Sequence, residues 1–457
     1  MKQLGFFLNA TFCLAAGLCL YACSGNPEQP APTPEPGNNP EPGSESLFPA
    51  KLGEALPAWS EGTLDIHTIS TGRGECSFFI MPDGTTMMID AAGSLITHDV
   101  VAKDPDVSAE PLPARPSISV SSGTAIADYV KHFNPHGKTV DYWVCSHFDT
   151  DHMGNFPETY ADLCPVSASI GKHPDGKFYL NGINEVGTLL DFKKIIDRGY
   201  TTPLDRSGEK RFKDYIRFLD WTKTAKGTVY ETAKAGHTDQ LRLNHSPAAY
   251  SGFSIRVLCS GGYYWTGNGD NARFNLPQNA DGSPDTDAIK MMSPKENIYS
   301  IAMMLKWGNF DFFTGGDLQY NNRGICSWLD SEAPLCDVVG KVEVMKANHH
   351  GNNNANSPEL MEKLSPQTLL INTWRDGQPK PGALKDIVET SPYVDIFATG
   401  VSAEQKTKIA AYSQRFASYD GHIVVRVAAN GTYKVFILDD SNQNYTVKAI
   451  HGPYKSK

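Results

Sequence analysis

Beyond its first twenty residues the chain has no apolar run near the roughly 20 residues that span a bilayer, so no membrane-embedded body is expected. It has no excess of positive charge either. Its 41 Lys and Arg stand against 51 Asp and Glu, a net of −10, which argues against a general nucleic-acid coat protein. None of the cysteines beyond Cys23 has zinc-finger spacing, which excludes a small zinc-stapled fold. No repeat of fixed period occurs, so a solenoid is excluded as well.

What is present begins with an export signal. Lys2 precedes the short, interrupted apolar stretch from Phe6 to Leu20, and Leu20-Tyr21-Ala22-Cys23 follows with the spacing of a lipobox. Residues 1–22 are therefore expected to be a lipoprotein signal peptide and Cys23 a lipidated N-terminus, placing the protein in the cell envelope, anchored outside the cytoplasm at the outer membrane or cell surface. Residues 24–46 hold seven prolines and four glutamates without a Lys or Arg. Such a segment buries too little apolar surface to offset its ordering entropy, so residues 23–50 read as a disordered tether with a reach of about 70 Å if polyproline-like. The membrane is then a partner through the lipid anchor only. An exported chain can oxidise its thiols, and Cys326–Cys336 is expected as a local pair.

Residues 51–457 read as one large α/β domain. Strands are predicted over Leu64–Ser70, Cys76–Ile80, Met87–Asp90 and Val140–Cys145, with a helix over Ala125–Phe133. Leu190, Ile195 and Ile196, then Phe212, Tyr215, Ile216 and Leu219, suggest a largely helical insertion within about 166–250. That block carries 14 Lys and Arg against 10 Asp and Glu, suited either to an anionic substrate or to a solvated face. Strands resume at Ile255–Cys259, Ser300–Trp307, Phe310–Phe313 and Val342–Lys346. Helix and strand then alternate to a closing hairpin, Ile423–Ala428 and Tyr433–Leu438, turned by Asn430-Gly431. Two strand-rich halves interleaved with helices imply packed mixed sheets with helices outside.

The chemistry concentrates where strands end. His147-Phe148-Asp149-Thr150-Asp151-His152 follows an apolar strand, and two imidazoles with two carboxylates in six residues suit zinc, manganese or iron. Gly315-Gly316-Asp317 closes another apolar strand, and Asn348-His349-His350-Gly351 a third.

With these motifs in this order the sequence resembles the metallo-β-lactamase superfamily. Within it, the branch containing the hydrolase domain of DNA-uptake competence channel proteins and phosphorylcholine esterase is the most similar. Gly72-Arg73-Gly74-Glu75, Pro82-Asp83-Gly84 and Met88-Ile89-Asp90-Ala91-Ala92-Gly93 look like that branch's N-terminal strands, and Asp149 stands where the family usually has a second histidine. The resemblance implies an αββα sandwich and two divalent metal ions, zinc or else manganese. His147 and Asp149 would hold the first ion, Asp151 and His152 the second, and Asp317 would bridge them. One of His349 and His350 would complete the second site while the other faces substrate; His350 is taken as the ligand and His349 as the catalytic group. Asp90 would orient the cluster loop, so that catalysis would draw on His349, Asp151 and Asp90.

The family's usual further histidine is missing, since His173, His237 and His245 lie at no strand end. The implied activity is a phosphodiesterase-like hydrolase of a small or polymeric phosphoester, with nucleic acid open as substrate. A lactam, lactone or thioester hydrolase on the same site, or a non-catalytic metal-binding surface protein, are the alternatives.

Overall fold

Neighbouring side chains along the first strands bury into different cores. Phe78 and Ile80 pack with one cluster while Phe79 between them packs with another, so both faces of the sheet are covered. A computed structural model describes residues 48–93, 111–154, 171–320, 324 and 326–456. The signal peptide, Cys23, most of the tether and Cys164 fall outside the described residues.

The first sheet takes β1 (Thr63–Thr68), β2 (Ser77–Ile80), β3 (Thr86–Ile89), β4 (Thr139–Val144), β5 (Asp191–Asp197) and β6 (Val229–Thr232). The second takes β7 (Phe253–Ser260), β8 (Tyr263–Trp265), β9 (Ala272–Phe274), β10 (Ala302–Trp307), β11 (Phe310–Thr314), β12 (Val344–Lys346), β13 (Thr368–Ile371), β14 (Asp395–Ala398) and β15 (Phe416–Ser418). The chain then returns to the first sheet with β16 (His422–Ala428), β17 (Thr432–Leu438) and β18 (Val447–Lys455). The strand orders are 18-17-16-1-2-3-4-5-6 and 15-14-13-12-11-10-7-8-9.

Leu64, Ile66, Phe79 and Val425 from one sheet meet Val257, Leu305, Phe312 and Leu370 from the other in the central core. The outer face of the first sheet carries helices Ser122–Phe133, Ile183–Leu189 and Lys210–Lys226, through Ile126, Val186 and Phe218. The outer face of the second carries Pro358–Leu364 and Pro381–Thr390, through Leu360 and Leu384. Helix, sheet, sheet and helix stack in that order, the αββα sandwich expected. Among the described residues no helix is long and apolar enough to cross a membrane.

Two expectations are corrected. Leu190, Ile195 and Ile196 do not belong to a helix: Asp191–Asp197 is β5, paired parallel to β4, and β6 extends the same sheet. The described part of the 166–250 block thus adds two strands to the sheet beside its helices. Several of its cations pair within the fold, Lys193 with Asp141, Lys194 with Glu231, Lys226 with Asp191 and Arg198 with Glu296. The Cys326–Cys336 pair is not formed either. Cys336 is a buried free thiol whose Sγ donates to the Glu332 carbonyl at 3.7 Å.

Candidate metal centre

β3 runs parallel to β4, and β11 parallel to β12, and the chemistry-bearing loops leave the C-terminal ends of these four strands. In α/β folds that edge is where ligands bind, because the loops there are not needed for the sheet. Asp90 follows β3, the 147–152 cluster follows β4, Asp317 follows β11, and His349 and His350 follow β12.

The loops are tied tightly. Gly74 has φ +132°, and a Cβ there would stand 2.0 Å from the Asp151 carbonyl oxygen. Glu75 N–H donates to that same oxygen at 2.8 Å. Three residues with side chains take left-handed backbone: Asp90 (φ 60°), His349 (φ 48°) and His350 (φ 53°). Such geometry costs about 1–3 kcal/mol per residue and persists only where the surroundings enforce it. At the histidine pair the enforcement comes from Asn348, whose Nδ2 donates to Glu332 Oε1 and whose backbone N–H donates to Asn356 Oδ1, both at 2.8 Å. Glu332 also accepts from the Asn356 and Ser357 amides. Burial pushes its carboxyl up to about 7 against those bonds.

Three histidines present the same nitrogen. Asp90 accepts the Ser146 amide and the Ser146 hydroxyl, each at 2.7 Å, and His152 Nδ1–H at 2.8 Å. Because the Ser146 proton is committed to Asp90, its oxygen accepts His147 Nδ1–H at 3.1 Å. His350 Nδ1–H donates to the Asn372 carbonyl at 2.7 Å. Nε2 is therefore the nitrogen that all three rings turn toward the cluster, the one a metal-ligating histidine with a bonded Nδ1 uses; against burial, the neighbouring carboxylates raise the pKa of His147 and His152 in the metal-free chain.

Those Nε2 atoms converge with carboxylates. His152 Nε2 lies 3.3 Å from His350 Nε2 and 3.2 Å from Asp317 Oδ1; His350 Nε2 lies 3.1 Å from Asp151 Oδ2 and 3.5 Å from Asp317 Oδ2. Four ligands at about 2.05 Å around a tetrahedral zinc sit about 3.3 Å apart. The closest pairs among Asp151, His152, Asp317 and His350 approach that spacing, with His152 Nε2 at 3.9 Å from Asp151 Oδ2; Glu75, His152, Asp317 and His350 also offer four ligand atoms within 4.8 Å of one another, and His350, not His349, belongs to both sets. His147 Nε2 and Asp317 Oδ1 are buried with no hydrogen-bond partner among the described residues, a cost that bound cations would remove. Burial alone would raise the Asp151 and Asp317 carboxyls, yet the facing His152 and His350 hold both well below the usual carboxylate range. The residues fit a divalent metal.

A second group is looser. His147 Nε2 stands 3.6 Å from Asp149 Oδ2 and 3.9 Å from Asp317 Oδ2, and Asp149 is partly open to solvent. Of the three histidines considered from the sequence, none joins it: His173 packs on Phe178 and Trp221, His237 pairs with Asp239, and His245 stacks on His136. His349 keeps its Nε2 at 3.8 Å from Asp317 Oδ2, and burial lowers its pKa to about 4, so the ring is neutral near pH 7.

Glu75 was quoted above only as part of a motif, and the fold carries it to the same cluster. Both its oxygens accept from Lys346 Nζ, at 3.0 and 2.8 Å, in a fully buried pair. Lys346 Nζ also donates to the Gly316 carbonyl at 2.8 Å. The pair thus ties the loop before β2 to the loop that carries Asp317. Asp90 touches no open space and acts as a positioning residue through Ser146 and His152. Asp90→Asn should place an N–H2 against one of its three donors and lower metal affinity about 10–100-fold with the fold retained. Competition against a chromophoric chelator measures this, and unchanged affinity removes that role.

Beside His349 opens a cleft of about 700 Å³ whose lining includes Lys295, Tyr320, Asn352, Arg375 and Lys380.

No family model and no curated protein matches this chain. By structure it is similar to Igni18, titled a novel metallo hydrolase of Ignicoccus hospitalis, at 11% identity over 80% of this chain and 98% of that one, TM-score 0.31. It is also similar to Zn(2+)-bound PqqB of Methylobacterium extorquens, at 9% identity over 79% and 99%, TM-score 0.32.

Proposed function

We propose that the chain is a metal-dependent hydrolase acting on phosphodiesters. The observation that carries this reading is the convergence of His152 Nε2, His350 Nε2, Asp151 and Asp317 at 3.1–3.5 Å between the closest pairs, with His147 Nε2 orphaned beside them. Asp151, His152, Asp317 and His350 would hold one divalent cation, and His147, Asp149 and Asp317 a second. When bound, such cations lower the pKa of water and balance the charge that develops on oxygen.

The residues of the chain do the rest. Asp90 and Ser146 fix the His147 and His152 rings, and the Asn372 carbonyl fixes His350. His349 lines the cleft, outside the His152–His350 tetrad. Neutral near pH 7, it donates a hydrogen bond from one ring nitrogen to a non-bridging or leaving oxygen.

Charge favours the diester. Asp149, Asp151 and Asp317 bring three formal negative charges against four from two divalent ions, and the remaining single positive charge matches a diester monoanion better than a monoester dianion. A β-lactam carbonyl offers no second non-bridging oxygen for two cations to share. The resemblance to the competence-channel and phosphorylcholine-esterase branch supports the same choice. kcat/KM is expected to be higher for bis-p-nitrophenyl phosphate than for p-nitrophenyl phosphate or nitrocefin on one enzyme batch at matched metal loading. A preference for either of the other two defeats the reading.

The looser spacing around Asp149 favours one alternative, a single-ion centre. Elemental analysis separates them, two ions per chain against one.

A further inference from the structure

We propose that the cleft beside His349 is an anion subsite that holds a second phosphate or carboxylate, carried on one ester arm of the substrate. The proposal deepens the phosphodiesterase reading and rests on it for the word substrate, but not for the anion binding itself.

Among the described residues the lining carries Lys295, Arg375 and Lys380 and not one Asp or Glu. None of the three cations forms an ion pair among the described residues. That is unusual in this molecule, whose net charge is −10. Elsewhere Lys306 pairs with Asp311, Lys193 with Asp141 and Arg426 with Asp65. Two carboxylates touch lining residues from outside the lining, Asp386, which accepts a 3.3 Å bond from Tyr320 Oη, and Asp317, 3.8 Å from His349 Nε2. Three like charges gathered without a counter-charge repel one another, and an anion placed among them removes that cost.

The cleft also has the right neighbour. Its wall includes His349, whose Nε2 is 3.8 Å from Asp317 Oδ2, so a group seated there is continuous with an ester held at the cluster. Arg375 lines the same cleft as His349. A volume near 700 Å³ accepts a nucleoside-sized or polyol-sized arm with its terminal anion. Arg375 offers a planar fork, and the two lysines offer point charges on flexible stems, a combination suited to a tetrahedral phosphate or a carboxylate. The shared chemistry, a diester with another anion on the same arm, occurs both in nucleotide backbones and in phosphorylated polyol headgroups.

The test uses matched pairs of substrates on the metal-loaded full chain. One arm compares p-nitrophenyl thymidine 5′-phosphate with its 3′-phosphorylated form. The other compares p-nitrophenyl glycerol 1-phosphate with its 3-phosphorylated form. The added phosphate is expected to raise kcat/KM about 10–100-fold, mainly through KM, as charge-assisted hydrogen bonds of 1.5–3 kcal/mol would give. The arm with the larger gain identifies the source. In the triple variant Lys295→Gln, Arg375→Gln, Lys380→Gln the gain should fall to near one.

A second measurement is independent of turnover: calorimetric titration of the metal-free full chain with thymidine 3′,5′-bisphosphate, expected to bind the wild type and not the triple variant. No gain from the added phosphate in either arm, or a gain that survives in the triple variant, overturns the subsite. If no ester is hydrolysed but calorimetric binding is present and lost in the variant, the phosphodiesterase reading fails and the anion site stands.

Discussion

Asp317→Ala is expected to lower kcat/KM on a phosphodiester by at least about a thousandfold and to remove at least one metal ion per chain. Asp317 Oδ1 faces His152 Nε2 at 3.2 Å, and Oδ2 faces His350 at 3.5 Å and His147 at 3.9 Å. No other carboxylate lies within ion-pair distance of both His147 and His152 Nε2 among the described residues. The alanine variant therefore deletes a ligand from each group at once, while the backbone N–H of residue 317 can keep its bond to Ser300 Oγ at 3.2 Å. The fold should survive, since the residue ends a strand and supports no core cluster. Metal counting by mass spectrometry with diesterase kinetics decides the matter: full activity at unchanged stoichiometry would take Asp317 out of the site.

Lys346→Met should produce the largest loss of stability, about 3–5 kcal/mol, because it strands the Glu75 carboxylate in a buried site. Both partners are almost fully buried, at 2% and 1% side-chain exposure. The attraction between them is not the whole cost; most of it comes from the charge left behind. The double variant Lys346→Met, Glu75→Gln should accordingly regain much of what the single variant loses, and a urea-unfolding double-mutant cycle reads this out. Metal affinity should fall as well, because Lys346 also holds the Gly316 carbonyl next to Asp317. A Lys346→Met chain as stable as the wild type would show that the pair does not tie the two loops.

The site's outline was legible because its residues sit where apolar strands stop. His147 to His152, Asp317 and His350 each follow a run whose alternation is plain, and the fold brings them within hydrogen-bonding reach. His349 and His350 are told apart only in space, where His350 Nε2 faces His152 and Asp151 while His349 lines the cleft. Glu75 and Lys346 were missed as a pair because a charge in a loop and a charge in a strand read separately as ordinary. Nothing in sequence shows that 271 positions close into one ion pair. β5 was misread because Leu190, Ile195 and Ile196 among charges mimic helical spacing, whereas its partner β4 decides the matter by tertiary pairing. β18 went unnoticed because Gly452-Pro453 interrupts it. The three cleft cations were invisible for the same reason as the buried pair: they are scattered along the chain and meet only in space.

Asp90 and the 147–152 cluster belong to one sheet, and Asp317 and His350 to the other. A nascent chain that has completed only β1 to β6 holds half a shell, and the contacts that close the other half span 198 and 199 positions. Contacts of such separation form late, after the local strands have paired. An ion held there would thus be a guest of the finished sandwich and a clasp across it, and its uptake would be a clock for the moment when the two sheets meet.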